Sequence, residues 1–111
     1  MSSLFLKGCT PWPQTEAEYY RACGYWRGES FSHMLANCAS QHGERLALVC
    51  GERQWSYSRL LRDAETMARQ LVGLGIGPND RVILQLPNIA EFVLCFFALS
   101  RIGALPVMAL P

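Results

Sequence analysis

The sequence predicts an α/β fold, a partial doubly wound parallel sheet with an aromatic helical arm at its N-terminus. The order strand, helix, strand fills residues 81–110, and a stretch of about thirty residues is typical of a βαβ unit with parallel strands and a right-handed crossover. The crossover helix, 89–102, has Glu91, Ser100 and Arg101 as its only strongly polar residues. Because so apolar a helix must be covered on most sides, it indicates a sheet with helices on both faces.

The chain opens with an aromatic segment. Residues 1–14 form a predicted extended arm, and Thr15 with Glu18 predicts a capping box for a helix over 16–23 that Gly24 ends. The aromatic residues that characterise this region are Trp12, Tyr19, Tyr20, Tyr25 and Trp26. They favour an arm anchored across a larger body. A base-stacking or ligand-stacking role is the alternative, although no basic cluster accompanies it.

A second helix is predicted over 33–41, with Ser32 as its N-cap and Gly43 after its end. Leu35, Cys38 and Ala39 form its apolar stripe. His33 and His42 are too far apart to share one face as metal ligands, so we expect solvated or capping roles for them.

Residues 45–57 predict a hairpin whose turn is 51–53. Its first strand, 46–50, is apolar at every position, which predicts cover on both faces. Ser56 is then the predicted N-cap of a long amphipathic helix. The apolar stripe of that helix comprises Tyr57, Leu60, Leu61, Ala64, Met67, Ala68, Leu71 and Leu74.

Three glycines, Gly73, Gly75 and Gly77, follow this helix. A phosphate-binding loop would lead from a strand into a helix N-terminus, so this pattern predicts a helix end and a turn instead. Strands are predicted over 81–86 and 105–110, and Asn88 with Glu91 predicts the cap of the apolar helix between them. Further along, Gly103 predicts the end of that helix. The predicted core contacts of the helix are Phe92, Phe96, Phe97 and Leu99.

Composition excludes several classes of function. The net charge is +1, one residue of the ten Lys and Arg is lysine, and no basic run occurs, which argues against nucleic acid and anionic membrane as partners. The five cysteines are odd in number and lack CxxC spacing, a pattern typical of a reducing compartment. No signal peptide or long apolar span is evident, so we expect a soluble, cytoplasmic protein.

The residues contain no recognisable catalytic constellation. No Ser-His-Asp or Cys-His set, carboxylate pair, metal cluster or GxGxxG after a strand can be identified. From the residues we therefore assign no catalytic residue, no cofactor-binding residue and no metal ligand.

Two longer segments resemble the adenylate-forming enzymes. GERQWSYSRL, residues 51–60, is similar to the signature near the start of that superfamily, and GIGPNDRVILQLPNIAEFVLCFFALSRIGALPV, residues 75–107, resembles the segment that follows it. Within that superfamily, the chain is most similar to siderophore-type 2,3-dihydroxybenzoate and salicylate AMP ligases. This narrower resemblance is carried by the WP, YY and GYW elements of 12–26 and by the final PVMALP. One departure is Arg59, where the family often has an acidic residue; the lost capping bond is worth ~0.5–1 kcal/mol.

The resemblance implies that residues 15–111 are the incomplete N-terminal part of an AMP-binding large domain, and 1–14 its arm. The implied parent enzyme uses ATP and magnesium to convert 2,3-dihydroxybenzoate or salicylate to aryl-AMP. It then transfers the aryl group to the phosphopantetheine thiol of an aryl carrier protein in siderophore biosynthesis. The family's phosphate loop, ribose-binding Asp and catalytic Lys have no counterpart among these residues, so the 111-residue chain alone is expected to be inactive and to bind no cofactor.

Two alternatives remain. The parent could activate a different acid, as another acyl-CoA or acyl-AMP ligase, with substrate-selecting residues outside this sequence. The chain could also be a non-catalytic interaction module that retains only the scaffold, which would require a partner to cover the apolar helix.

Overall fold

The computed structural model describes residues 7–111, so the first six residues of the predicted arm lie outside the described part. Within it, four helices and four strands form an α/β structure. The helices are α1 (Gln14–Ala22), α2 (Phe31–His42), α3 (Tyr57–Gly73) and α4 (Ala90–Ile102). The strands are β1 (Leu46–Cys50), β2 (Arg53–Ser56), β3 (Arg81–Leu84) and β4 (Leu105–Met108).

The first helix begins earlier than the sequence predicts. Pro13 is the N-cap residue of α1, and its carbonyl accepts a hydrogen bond from the Ala17 N–H at 3.0 Å. Thr15 therefore lies inside the first turn, and the predicted Thr15–Glu18 capping box is wrong. The Gln14 side chain instead donates to the Glu18 carboxylate at 2.8 Å.

The start of α2 also differs from its prediction. Ser30, not Ser32, is the N-cap, and its hydroxyl accepts from the His33 N–H at 3.2 Å. The helix includes Phe31, whose ring meets that of Phe96 edge-on with a centroid distance of 5.2 Å. Because this contact fixes Phe31 against α4, the helix begins one position before the second serine.

Gly43 follows α2 as predicted, but it has φ −49° and is not left-handed. A side chain there would overlap the Ser58 hydroxyl and the Ala39 carbonyl. The Ser58 N–H donates to the Gly43 carbonyl at 3.0 Å. Glycine at this position thus permits close approach between the end of α2 and the start of α3.

The predicted hairpin is confirmed, with β1 and β2 antiparallel around Gly51, which has φ +60°. The expectation that β1 is covered on both faces is wrong within this chain. Leu46 is 55% exposed and Val49 is 53% exposed. The described helices cover the strand on one side only.

Ser56 caps α3 as predicted, since its hydroxyl accepts from the Arg59 N–H at 3.2 Å. Leu60, Ala64 and Ala68 of the predicted stripe are buried. Leu74 is 80% exposed, so its place in the stripe is wrong: it is the residue after the last helical turn, where the periodicity no longer fixes its direction.

The βαβ unit is confirmed: β3 and β4 pair in parallel, with Ile83 opposite Val107. Both strands end two residues before their predicted limits. Gly103 ends α4 in the left-handed conformation, at φ +83°, as predicted. Together, the two parallel strands and the hairpin make two separate two-stranded sheets among residues 7–111.

Helices α2, α3 and α4 enclose the principal core with the hairpin. The buried members of this core are Leu35, Trp55, Leu60, Ala64, Ala90 and Leu94. Leu99 is 1% exposed, which confirms it as a core residue. The predicted core residues Phe92, Phe96 and Phe97 are only partly buried. One side of α4 therefore remains open.

Candidate functional site

The hairpin is joined to the start of α4 by an ion pair. Arg53 donates two hydrogen bonds to the two oxygens of Glu91, at 2.5 and 3.1 Å. These bonds hold the pKa of the Glu91 carboxyl below its ordinary value and raise the pKa of Arg53. Both side chains are substantially exposed, so solvent weakens the pair.

This ion pair corrects the prediction for the α4 cap. Ile89 is the N-cap residue and no side chain caps the helix, so the capping roles predicted for Asn88 and Glu91 are wrong. The Glu91 carboxylate is directed to Arg53 instead. No local sequence pattern indicates this pair, because its members lie 38 positions apart.

Trp55 lies beside this ion pair and is 4% exposed. The guanidinium carbons of Arg53 and Arg59 lie 5.3 and 5.0 Å from its ring centroid, and its Nε1–H donates to Asp63 at 3.0 Å. Arg59 also donates to the Gln54 carbonyl at 2.8 Å. Arg59, which departs from the family pattern, thus stabilises the hairpin against α3 through these contacts.

An apolar groove of about 580 Å³ lies between α2, α4 and β4. Phe31, Met34 and Phe96 line it, and Phe31 and Met34 are 58% and 46% exposed. Arg27 and Glu29 form a 3.7 Å ion pair at its rim. The lining can exclude water from an apolar occupant but offers no convergent set of acids, bases or nucleophiles.

The N-terminal aromatic residues contact one another. The Tyr20 and Trp26 ring centroids lie 5.2 Å apart, and those of Trp12 and Trp26 lie 5.6 Å apart. Arg21 stacks on Trp26 at 5.8 Å. Trp12, Tyr19 and Tyr25 are each at least 60% exposed. The cluster is therefore ordered by its own contacts and presents an exposed aromatic surface, and the anchoring role stays a prediction.

The prediction that Gly73, Gly75 and Gly77 mark a helix end and a turn is confirmed, since Gly73 is the last residue of α3 and the other two follow it. Gly75 is left-handed at φ +94°, and its N–H donates to the Val72 carbonyl at 2.9 Å. A helix C-terminus carries partial negative charge, which repels phosphate. The segment is therefore unsuited to hold ATP, and no group of three potential metal ligands forms among residues 7–111.

The two histidines lie near opposite ends of α2, and both are exposed. The five cysteines are free. Cys95 is half-buried, its Sγ lies 3.4 Å from the Met67 sulfur, and burial raises the pKa of its thiol. In the described part of the chain, no helix is long and apolar enough to cross a membrane.

The chain is similar to the same group of proteins in its sequence and in its structure. The chain is 51% identical over 106 residues to the 2,3-dihydroxybenzoate-AMP ligase of Bacillus subtilis, covering 96% of this chain and 20% of that protein. It is 45% identical to the salicyl-AMP ligase / salicyl-S-ArCP synthetase of Mycobacterium tuberculosis, and the match covers 96% of this chain and 20% of that protein. The apo structure of Mycobacterium smegmatis MbtA superposes on this chain with a TM-score of 0.89 at 43% sequence identity. The superposition covers 94% of this chain and 20% of the MbtA chain.

The chain thus spans about a fifth of the length of the curated relatives it matches. A family model described as AMP-binding enzyme matches residues 35–111, which include α3 and the whole βαβ unit. The chain belongs to the AMP-binding enzyme family.

Proposed function

We propose that this chain is the N-terminal part of an aryl acid AMP ligase, in which it serves as scaffold. The parent activates 2,3-dihydroxybenzoate or salicylate with ATP, releasing pyrophosphate, and transfers the aryl group to the thiol of an aryl carrier protein. The observation that supports this most strongly is the identity of 51% and 45%, across nearly the whole chain, to ligases named for these two acids.

ATP and magnesium belong to the parent's reaction, where ATP provides the adenylyl group that makes the carboxylate a good acylating agent. Residues 7–111 do not fit either group: their glycine-rich turn lies at a helix C-terminus, the Glu91 carboxylate is paired with Arg53, the Asp80 carboxylate accepts from the Gly77 N–H, and no group of three potential metal ligands forms among them. We therefore assign no catalytic, cofactor-binding or metal residue to this chain. The division into an arm, 1–14, and a domain, 15–111, is part of the same proposal.

The scaffold role follows from how the elements are fixed. The core between α2, α3 and α4 is closed, while the Arg53–Glu91 pair joins the hairpin to the crossover helix. Strands β3 and β4 form a parallel pair, so their carboxyl ends lie at one edge of the sheet. Open α/β sheets bind ligands at that edge, so the chain can position residues supplied by other parts of the domain.

A chimera tests the scaffold role. In the Bacillus subtilis ligase, the aligned 106-residue segment would be replaced by this chain. We expect ATP–pyrophosphate exchange with 2,3-dihydroxybenzoate within about tenfold of the parent, because conservative core differences cost little. The 111-residue chain alone should show no exchange. A folded but inactive chimera, or turnover by the chain alone, would refute the proposal.

The aryl acid class is tested separately with the product of the complete reading frame. We expect exchange with 2,3-dihydroxybenzoate or salicylate and none with a long-chain fatty acid. Preference for the fatty acid would select the alternative in which the parent is another acyl-AMP or acyl-CoA ligase.

A further inference from the structure

The β3–α4 loop, residues 85–89, is held at both of its ends. At its first end, the Gln85 side chain donates to the Leu110 carbonyl at 2.7 Å, which joins the loop to the segment that follows β4. At its other end, Glu91 in the first turn of α4 accepts both hydrogen bonds from Arg53. The loop is therefore fixed against β4 on one side and against the hairpin on the other.

The start of α4 depends on contacts with other elements rather than on a cap. Its N-cap residue is Ile89, and no side chain caps the helix. Ala90, the first residue of the helix, is 1% exposed and belongs to the principal core. The next residue, Glu91, is bound from the hairpin by Arg53. The Arg53–Glu91 pair thus takes the place of a capping side chain in fixing where the loop enters the helix.

Arg53 is held in the orientation that this pair needs. Its guanidinium carbon lies 5.3 Å from the ring centroid of the buried Trp55, and its Nη2 donates to the Cys50 Sγ at 3.7 Å. Both contacts are within the hairpin, so they present the guanidinium to Glu91 from a fixed direction. Bidentate pairing of arginine with a carboxylate adds geometric specificity to its energy.

The exposure of the pair separates its effect on position from its effect on stability. The side chains of Arg53 and Glu91 are 52% and 40% exposed, and ion pairs this open to solvent contribute little to folding. Their loss should therefore leave the chain folded. The β3–α4 loop that they fix lies at the carboxyl ends of two parallel strands, the edge where open α/β sheets bind ligands.

We propose that Arg53 and Glu91 are positioning residues for the adenylation reaction of the parent enzyme, acting through the β3–α4 loop. Neither residue touches substrate in this role. The bidentate pair keeps the loop in place at the ligand-binding edge, so that the groups around ATP and the aryl acid stay aligned. The inference rests on the proposed function and deepens it, because it gives one contact of the scaffold a part in the reaction rate.

The test uses the chimera in which this chain replaces the aligned segment of the Bacillus subtilis ligase. ATP–pyrophosphate exchange with 2,3-dihydroxybenzoate is measured for Arg53→Ala, for Glu91→Ala, for the double variant and for the charge-swapped variant R53E/E91R. We expect each single substitution to lower kcat by about tenfold and to leave both KM values within about threefold, because misplacement impairs alignment in the transition state more than binding.

The double and charge-swapped variants show whether the two residues act as a pair. The double variant should lose no more activity than either single variant, because one interaction is removed in all three. The charge-swapped variant should recover a large part of kcat, since it re-forms the ion pair with its charges reversed. A loss of stability alone would not produce this pattern in kcat.

The matched control is the ion pair between Glu65 and Arg101, which joins α3 to α4 and has similar exposure, 38% and 59%. It lies near the C-terminal end of α4, away from the carboxyl ends of the strands. Glu65→Ala and Arg101→Ala should therefore leave kcat and both KM values as they are in the unsubstituted chimera. Thermal unfolding followed by circular dichroism shows that every variant is folded at the assay temperature.

Unchanged kcat in R53A and E91A, or an equal loss in the two control variants, would overturn the positioning role. So would a double variant whose loss is the product of the two single losses, or a charge-swapped variant no more active than the double variant. Unfolding of R53A or E91A at the assay temperature would also count against it. In each of these cases the unsubstituted chimera is active and the proposed function stands, whereas a folded but inactive chimera refutes both.

Discussion

Replacing Leu99 with alanine should lower the free energy of unfolding by about 2–5 kcal/mol. Leu99 is 1% exposed and is the largest side chain fully buried among residues 7–111. The substitution removes three carbon groups, worth about 2.4 kcal/mol at ~0.8 kcal/mol each. The cavity that remains adds to this cost, because neighbouring groups relax only partly.

Urea unfolding followed by circular dichroism measures the effect. With a slope of about 1–3 kcal/mol per molar, a loss of ~3 kcal/mol lowers the midpoint by about 1–3 M. Leu99→Met keeps the volume and should cost less than about 1.5 kcal/mol. Leu74→Ala, at a side chain that is 80% exposed, should change stability by no more than about 0.5 kcal/mol. Equal midpoints for L99A and L74A would refute the burial argument.

Three further predictions concern α3, the ion pair and the buried thiol. Ser56→Ala should cost about 1 kcal/mol in urea unfolding, because the cap bond to α3 is lost; an unchanged midpoint would contradict this. The hydrogen bonds from Arg53 lower the pKa of Glu91 in the folded chain below its ordinary value of 4.5. The ion pair therefore stabilises the fold fully above about pH 4.5, and this stabilisation is lost as the pH falls through the lower pKa of the folded chain. Glu91→Gln should therefore flatten the dependence of stability on acidic pH, and an unaltered profile would count against the pair. Burial raises the pKa of Cys95, so mass spectrometry should show slower iodoacetamide labelling there than at exposed Cys23; equal rates would contradict its burial.

The features that the sequence predicted well depend on local chemistry. The glycine that ends α4, the Ser56 cap and the hairpin turn each follow from residues within a few positions of one another. The parallel pairing of β3 and β4 also follows from chain order, because a crossover helix of this length permits little else.

The errors arose where a distant residue decided between local candidates. Ser30 and Ser32 are both good N-caps, and the contact of Phe31 with Phe96 in α4 favours the first. The partial exposure of Phe96 has a similar origin. Its helix is apolar all round, but only part of the layer that would cover it lies within residues 7–111. Composition predicts that a face must be covered without showing which residues cover it.

The last point concerns whether the Glu91 carboxylate is free to interact with a ligand. Its place in the first turn of α4 suits the positive end of the helix dipole, yet its carboxylate is bound by Arg53. This pair lies beyond the carboxyl end of β3, the edge where open α/β sheets bind ligands. Since the acid and the base neutralise each other there, neither is a free charge for a phosphate or a carboxylate substrate. This pairing is consistent with the proposal that groups neutralising such ligands come from other parts of the large domain and that this chain serves as scaffold.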